Sequence, residues 1–181
     1  MMRKLRTIEM NRLSVDEFKS ADKLPLIVIL DDVRSMHNVG SVFRTSDAFR
    51  LEAVYLCGIT STPPSAEIHK TALGAEDSVD WKYYIDPCEA VRELQSKGYE
   101  VYAVEQAEGS TMLQDFIPRN NRKYAVILGN EVKGVHQEVI DMCDGCLEIP
   151  QYGTKHSMNV SVTGGIIIWH FQESLLPLHT K

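Results

Sequence analysis

The sequence predicts an α/β fold with a mainly parallel sheet and helices on both faces. Three observations lead there. Short, solidly apolar runs, clearest in Leu26-Ile27-Val28-Ile29-Leu30, fit strands buried on both faces. Segments with helical spacing and capping signals alternate with those runs. At 181 residues and 44% hydrophobic, the chain can bury a sizeable core without disulfides or metals. No internal repeat or linker divides it. One domain over 1–181 is expected, with a basic arm and short helix over 1–24 and the core over 26–175.

The elements follow in order. Ser14 with Glu17 forms a capping box, so a helix is predicted from Val15 to about Ala21. Pro25 opens the first strand. Asp31 to Gly40 reads as a polar loop, and Val42, Phe43, Ala48 and Phe49 as the apolar face of a helix ending near Arg50. A strand over Ala53 to Cys57 is closed by Gly58, and a proline-containing loop runs from Ser61 to Ser65. Glu67 to Leu73 suits a helix stopped by Gly74, and Val79 to Ile85 a strand. Asp86-Pro87 caps a helix through Lys97, with Gly98 just past its end. Further strands are predicted at Val101 to Val104, Tyr124 to Leu128 and Cys146 to Ile149, the last ended by Pro150. A short helix over Val135 to Met142 lies between the second and third of these. A long helix closes the pattern, from about Met158 to Leu175.

The net charge of −6 argues mildly against a nucleic-acid partner. Its distribution argues the other way. The first twelve residues hold Arg3, Lys4, Arg6 and Arg12 against the single Glu9. A basic arm on an acidic body can bind phosphates locally, because exposed charges more than about 10 Å apart are screened at ordinary salt. A solvated tail is the plainer reading of the same residues. The charged N-terminus is followed by no apolar signal segment, and the apolar stretch around Ile166 to Trp169 is too short to span a bilayer. Four cysteines without an export signal point to reduced thiols and a cytoplasmic location. Cys143 and Cys146 have metal or redox spacing, but a structural zinc needs four ligands and no second such pair exists, so no metal is expected.

Three segments carry chemistry. In DDVRSMHNVGSVFRTSDAF, Asn38 is well suited to cap a helix, Gly40 permits close backbone approach, and Arg44 stands one turn further on the same face. Arg44 would project near the carboxyl end of the first strand, where open α/β sheets bind ligands, and its guanidinium can fork onto a phosphate or a developing alkoxide. A capped helix with a solvated arginine is the alternative. In YAVILGNEVKGV, a buried strand ends in Gly129-Asn130-Glu131, with Gly134 three residues on; this is either a ligand-wrapping loop or an ordinary strand-to-helix turn. It lacks the spacing of an ATPase phosphate loop. In LEIPQYGTKHSMNVSVTGG, Ser157 or Asn159 can cap the last helix, and Ser161, Thr163, Gly164 and Gly165 allow another backbone close by.

Taken in order, these segments resemble the SpoU family of RNA 2′-O-ribose methyltransferases, in the SPOUT superfamily. The family pattern runs N-x-G-x-x-x-R-T, then G-N-E-x-x-G, then I-P-x-x-G-x-x-x-S-[LM]-N-V-S-V. Here it stands as Asn38, Gly40, Arg44 and Thr45; Gly129, Asn130, Glu131 and Gly134; and Ile149, Pro150, Gly153, Ser157, Met158, Asn159, Val160 and Ser161. Met158 replaces the usual leucine, a volume-conserving change. The resemblance spans about Leu26 to Phe171.

The resemblance implies a sheet whose C-terminal part is tied in a deep trefoil knot. It implies S-adenosylmethionine bent in the knot loops, with Val104, Leu128, Gly129, Asn130, Gly134, Ile149, Pro150 and Met158 around it. It implies a homodimer through the last helix, for which the small residues would serve. Arg44 would be catalytic, with Asn38, Glu131, Ser157 and Asn159 fixing it and the ribose. An arginine keeps its proton, so Arg44 is read as a clamp on the neighbouring phosphate and a stabiliser of the forming alkoxide. RNA would meet Arg3, Lys4, Arg6, Arg12, His37 and Lys70, and the tail at Leu176-Pro177. Transfer RNA is favoured over ribosomal RNA, because no separate N-terminal RNA-binding domain is seen. The alternatives are a ribosomal RNA enzyme or a catalytically silent knotted RNA-binding dimer. A dehydrogenase is disfavoured by the absence of G-x-G-x-x-G after the first strand.

Overall fold

A computed structural model describes residues 2–175. Seven strands form one parallel sheet: β1 (Leu24–Asp31), β2 (Leu51–Cys57), β3 (Trp81–Tyr84), β4 (Tyr99–Val104), β5 (Thr111–Met112), β6 (Lys123–Leu128) and β7 (Gly145–Glu148), in the order β3-β2-β1-β6-β4-β7-β5. The helices are α1 (Val15–Ser20), α2 (Met36–Ala48), α3 (Ala66–Ala72), α4 (Ala75–Ser78), α5 (Pro87–Ser96), α6 (Gln137–Ile140) and α7 (Val160–Leu175). No helix among the described residues is long and apolar enough to cross a membrane. The tail at Leu176-Pro177 lies outside the described residues.

The solid apolar run of β1 behaves as parallel-sheet physics requires, serving two cores at once. Leu26, Val28 and Leu30 face the core built with α2, α3 and α7, while Ile27 and Ile29 face the core built with α5 and α6. Helices therefore cover both faces, as predicted. The α7 side is locked by an aromatic cluster: Tyr124 and Phe171 lie 5.2 Å apart, and Tyr102 and Phe116 4.8 Å apart.

The departures from expectation are local. Ser35, not Asn38, caps α2: its hydroxyl accepts from the Asn38 N–H at 3.3 Å. The helix thus starts at Met36, inside the stretch expected to be loop, and Asn38 is buried within its first turn. The two-residue β5 and the short α4 are too brief to leave a periodic signature. The last helix starts at Val160 rather than Met158, with Asn159 as the cap: its Oδ1 accepts from Ser161 N at 2.9 Å and Val162 N at 3.3 Å. Gly164 is buried inside the chain, where an added Cβ would lie 3.0 Å from Leu128. The outward face of α7 carries Val162, Ile166 and Trp169 instead, all exposed.

Candidate active site

The three segments meet at the carboxyl ends of β1 and β6. The connection runs through a chain of side chains 93 and 121 residues apart in sequence. Glu131 Oε2 accepts from Arg34 N at 3.0 Å, and Oε1 accepts from Ser35 N at 3.0 Å and Asn38 Nδ2 at 3.1 Å. Asn38 Oδ1 in turn accepts from Asn159 Nδ2 at 3.1 Å. The direction of every bond is dictated. Asn159 Oδ1 is occupied by the N–H groups of α7, so its Nδ2 must face Asn38. The Asn38 amide must then turn its own NH2 to the carboxylate, which can only accept.

Partial burial pushes the Glu131 carboxyl up, but the N–H groups of Arg34 and Ser35 and the Asn38 amide outweigh it and hold the group below the ordinary carboxylate range. Glu131 is therefore an anchor with both oxygens engaged, not a free base. Glu131→Gln is expected to cost about 1–2 kcal/mol at neutral pH, since one amide hydrogen pair must face a donor. A depressed folded pKa gives stability that is present above the unfolded value and lost as pH falls through the folded one. The wild-type advantage over Glu131→Gln should shrink below about pH 4.3. Thermal melts of both proteins across that range check it.

The second segment forms a tight ring. Asn130 and Gly134 exchange backbone hydrogen bonds at 3.0 and 2.9 Å, and Asn130 Oδ1 accepts from Val132 N and Lys133 N at 2.9 and 3.0 Å. Asn130 Nδ2 donates to Asp32 O at 2.8 Å, tying the ring to the β1 loop. Gly129 sits against its far side, where a Cβ would lie 2.1 Å from the Gly134 carbonyl carbon and 2.2 Å from Val135 N. Glu105, just past β4, props the ring by accepting from Val135 N at 3.2 Å.

A cavity of about 260 Å³ opens beside this ring, between the ends of β4, β6 and β7. Val104, Leu128, Gly129, Asn130, Gly134, Ile149 and Met158, all among the residues expected around a cofactor, line it. Pro150 does not line it; the wall passes from Ile149 to Gln151. Ser157 faces the cavity and makes no hydrogen bond among the described residues, so it does not join the chain through Asn38. Glu105, Gln106 and His156 also line the cavity. Nothing in the sequence marks them, because they follow strands or sit in a loop with no spacing signal. Gln106 Nε2 reaches across to His156 O at 2.6 Å.

Arg44 stands apart. It is exposed on α2, does not line the cavity, and its guanidinium has no partner among the described residues. Gly40, one turn earlier, is where α2 meets α3: a Cβ there would lie 2.3 Å from Ile68 O. The close approach expected at Gly40 thus serves helix packing, not a ligand.

The predicted RNA-facing residues are largely engaged within the chain. His37 Nε2 and Lys70 Nζ both meet Glu67, at 3.2 and 2.5 Å. Arg3 pairs with Glu9 at 3.0 Å and Arg6 lies 3.6 Å from it, while Lys4 and Arg12 are exposed. Arg34, exposed and without a side-chain partner among the described residues, is a further cation that no motif singles out. Cys143 is pushed up to about 12 by burial, and burial also raises Cys146. Thiols that stay protonated make poor metal ligands or nucleophiles. Asp31, Asp32 and His136 approach one another within 4.8 Å, but Asp31 is fully buried and both its oxygens already contact His136 Nδ1, at 3.0 and 2.9 Å.

The SpoU rRNA Methylase family model matches residues 25–169, spanning all three segments. The chain belongs to the SpoU family. SpoU relatives of two kinds are similar to it. It is 30% identical over 153 residues to the 23S rRNA (guanosine-2'-O-)-methyltransferase RlmB of Neisseria meningitidis, covering 84% of this chain and 60% of that protein. It is 30% identical over 169 residues to the tRNA (guanosine(18)-2'-O)-methyltransferase of Thermus thermophilus, covering 93% of this chain and 84% of the relative. The chain thus spans less than two thirds of the RlmB relative. Among solved structures, the AdoMet-bound rRNA methyltransferase of Sinorhizobium meliloti superposes with a TM-score of 0.78 at 26% identity, over 91% of this chain and 62% of that one.

Proposed function

We propose that this chain, as one SpoU-type domain over 1–181, methylates a ribose 2′-hydroxyl in RNA with S-adenosylmethionine as donor. The observation that carries the reading is the hydrogen-bonded chain Asn159–Asn38–Glu131, which joins all three family segments beside a cavity lined by the expected cofactor residues. The cavity fits the cofactor's chemistry: Val104, Leu128, Ile149 and Met158 offer apolar walls for an adenine, and the ring around Gly129 brings backbone groups close. When bound, S-adenosylmethionine supplies an electrophilic methyl group. Arg44 meets the nucleophile's side of the reaction. Its guanidinium keeps its proton, clamps the phosphate next to the target and steadies the charge forming on the 2′-oxygen. Glu131, with both oxygens bonded, holds α2 and the β1 loop in register. The departing proton goes to the phosphate or to water.

Arg44's distance from the cavity lining fits an active site completed at the edge of a homodimer. The exposed stripe Val162, Ile166 and Trp169 on α7, packed beside α2, supports that assembly. Val162→Asp with Ile166→Asp is expected to shift a dimer to monomer in sedimentation equilibrium and to lower activity; an unchanged mass would discard this surface. The trefoil knot belongs to the same reading. Its support is the strand order, which inserts β6 between β1 and β4 and brings α7 back across β1 after β7. We place the enzyme in the cytoplasm, where its four free thiols stay reduced. A tritiated-methyl transfer assay on total RNA tests the function, and mapping the methylated nucleotide separates transfer from ribosomal RNA. Absence of transfer with an intact dimer and bound RNA would favour the silent binding module.

A further inference from the structure

We propose that a groove at the β3 edge of the sheet stacks an unpaired nucleobase of the RNA, next to the nucleotide being methylated. The inference rests on the methyltransferase reading. The groove, about 670 Å³, runs between Met36, the loop from Gly58 to Thr62, Ser65, and the rings of Trp81 and Tyr83.

Trp81 and Tyr83 alternate along the outermost strand, in register with Val54 and Leu56. They therefore stand on the α2 and α3 side of the sheet, 37% and 45% exposed. Among the described residues neither ring packs on another aromatic ring. Tyr83 is nonetheless fixed, because its hydroxyl donates to Gly58 O at 2.8 Å. A held, exposed aromatic ring is a stacking platform that every base can use.

The groove is built on the same frame as the end of β1 and the start of α2. Thr60 Oγ1 donates to Leu30 O at 3.1 Å and accepts from Val33 N at 2.9 Å. Asp32 Oδ1 accepts from Ile59 N at 2.9 Å, and Ser65 Oγ reaches Met36 Sδ at 3.5 Å. Met36 opens the helix that carries Asn38 and Arg44. The occupant follows from the chemistry of the walls. On a chain of net charge −6, no residue lining this groove is charged, so the lining itself sets no like charge against a phosphate backbone, and the nearby Asp32 carboxylate is taken up by Ile59 N. Its rim offers hydroxyls for base edges, and the free Arg34 stands two residues before Met36 to meet a phosphate.

The test uses the full chain and a short fluorescein-labelled single-stranded RNA, with duplex RNA of the same length as control. Trp81→Ala should weaken single-strand binding roughly 5- to 150-fold, the range that base–aromatic stacking spans, while Trp81→Phe retains most of it. Duplex binding and S-adenosylmethionine binding should not change. In Trp169→Phe protein, where Trp81 is the remaining indole, the oligonucleotide should quench tryptophan emission even if the alanine variant folds poorly. Unchanged single-strand affinity in Trp81→Ala, or no quenching, overturns the proposal. So does a change of sedimentation mass in Trp81→Ala, which would assign the groove to a second copy of the chain. Failure of wild-type methyl transfer would strike the enzyme reading, while oligonucleotide binding would still decide the groove.

Discussion

Replacing Arg44 with alanine is expected to lower methyl transfer roughly a hundred- to a thousandfold, the scale on which single charge-stabilising groups act in enzymes. S-adenosylmethionine affinity should stay at the wild-type level, because Arg44 does not line the cavity. Stability should change by no more than about 0.5 kcal/mol, since the side chain is exposed and bonded to nothing among the described residues. Arg44→Lys should recover only part of the rate: it keeps the charge but loses the planar fork that grips a phosphate. Single-turnover transfer, cofactor titration and thermal melts read these three effects separately. Wild-type turnover in Arg44→Ala would remove the residue from the mechanism. Loss of cofactor affinity would instead make it part of the pocket.

Gly129→Ala is expected to abolish measurable cofactor binding. The new Cβ would lie 2.1 Å from the Gly134 carbonyl carbon and 2.2 Å from Val135 N. Both are backbone atoms of a ring closed by the Asn130–Gly134 pair, so no rotamer change relieves the clash. The ring must open, and the cavity wall opens with it. Overpacking of this kind costs about 1–3 kcal/mol, so the melting temperature should fall as well. Gly153→Ala is the matched control. It lies in the neighbouring segment of the family pattern, yet a Cβ there meets nothing within 4 Å. Calorimetric titration with S-adenosylmethionine should show binding in the control and none in Gly129→Ala. Equal affinities would mean that the ring does not shape the pocket.

Much of the site is legible in the chain because its parts are local. Gly129-Asn130-Glu131 follows the buried run of β6, so apolar patterning alone places it at a strand end, and Ile149 comes directly after the short, half-buried β7. Roles are harder. Asparagine favours the capping position, which makes Asn38 resemble a cap, but Ser35 caps α2 and frees the Asn38 amide to bridge Glu131 and Asn159. The small residues of α7 suit a close contact between two chains, whereas Gly164 is used against Leu128 within one. His37 and Lys70 have the look of free RNA contacts because nothing in the spacing reveals that both converge on Glu67.

The sequence alone determined the alternation of buried strands with helices, the two-faced burial of β1 and the identity of the three segments. These depend on periodicity and composition over a few neighbouring residues, which a linear chain displays openly. Only the tertiary structure decided that both Glu131 oxygens are taken up by Arg34 N, Ser35 N and the Asn38 amide, that Ser157 faces the cavity while Pro150 does not line it, and that Trp81 and Tyr83 border a groove beside the start of α2. Those facts depend on which donor meets which acceptor across long stretches of chain. A side chain's local preference names what it can bond to, and the packing of the sheet chooses the partner.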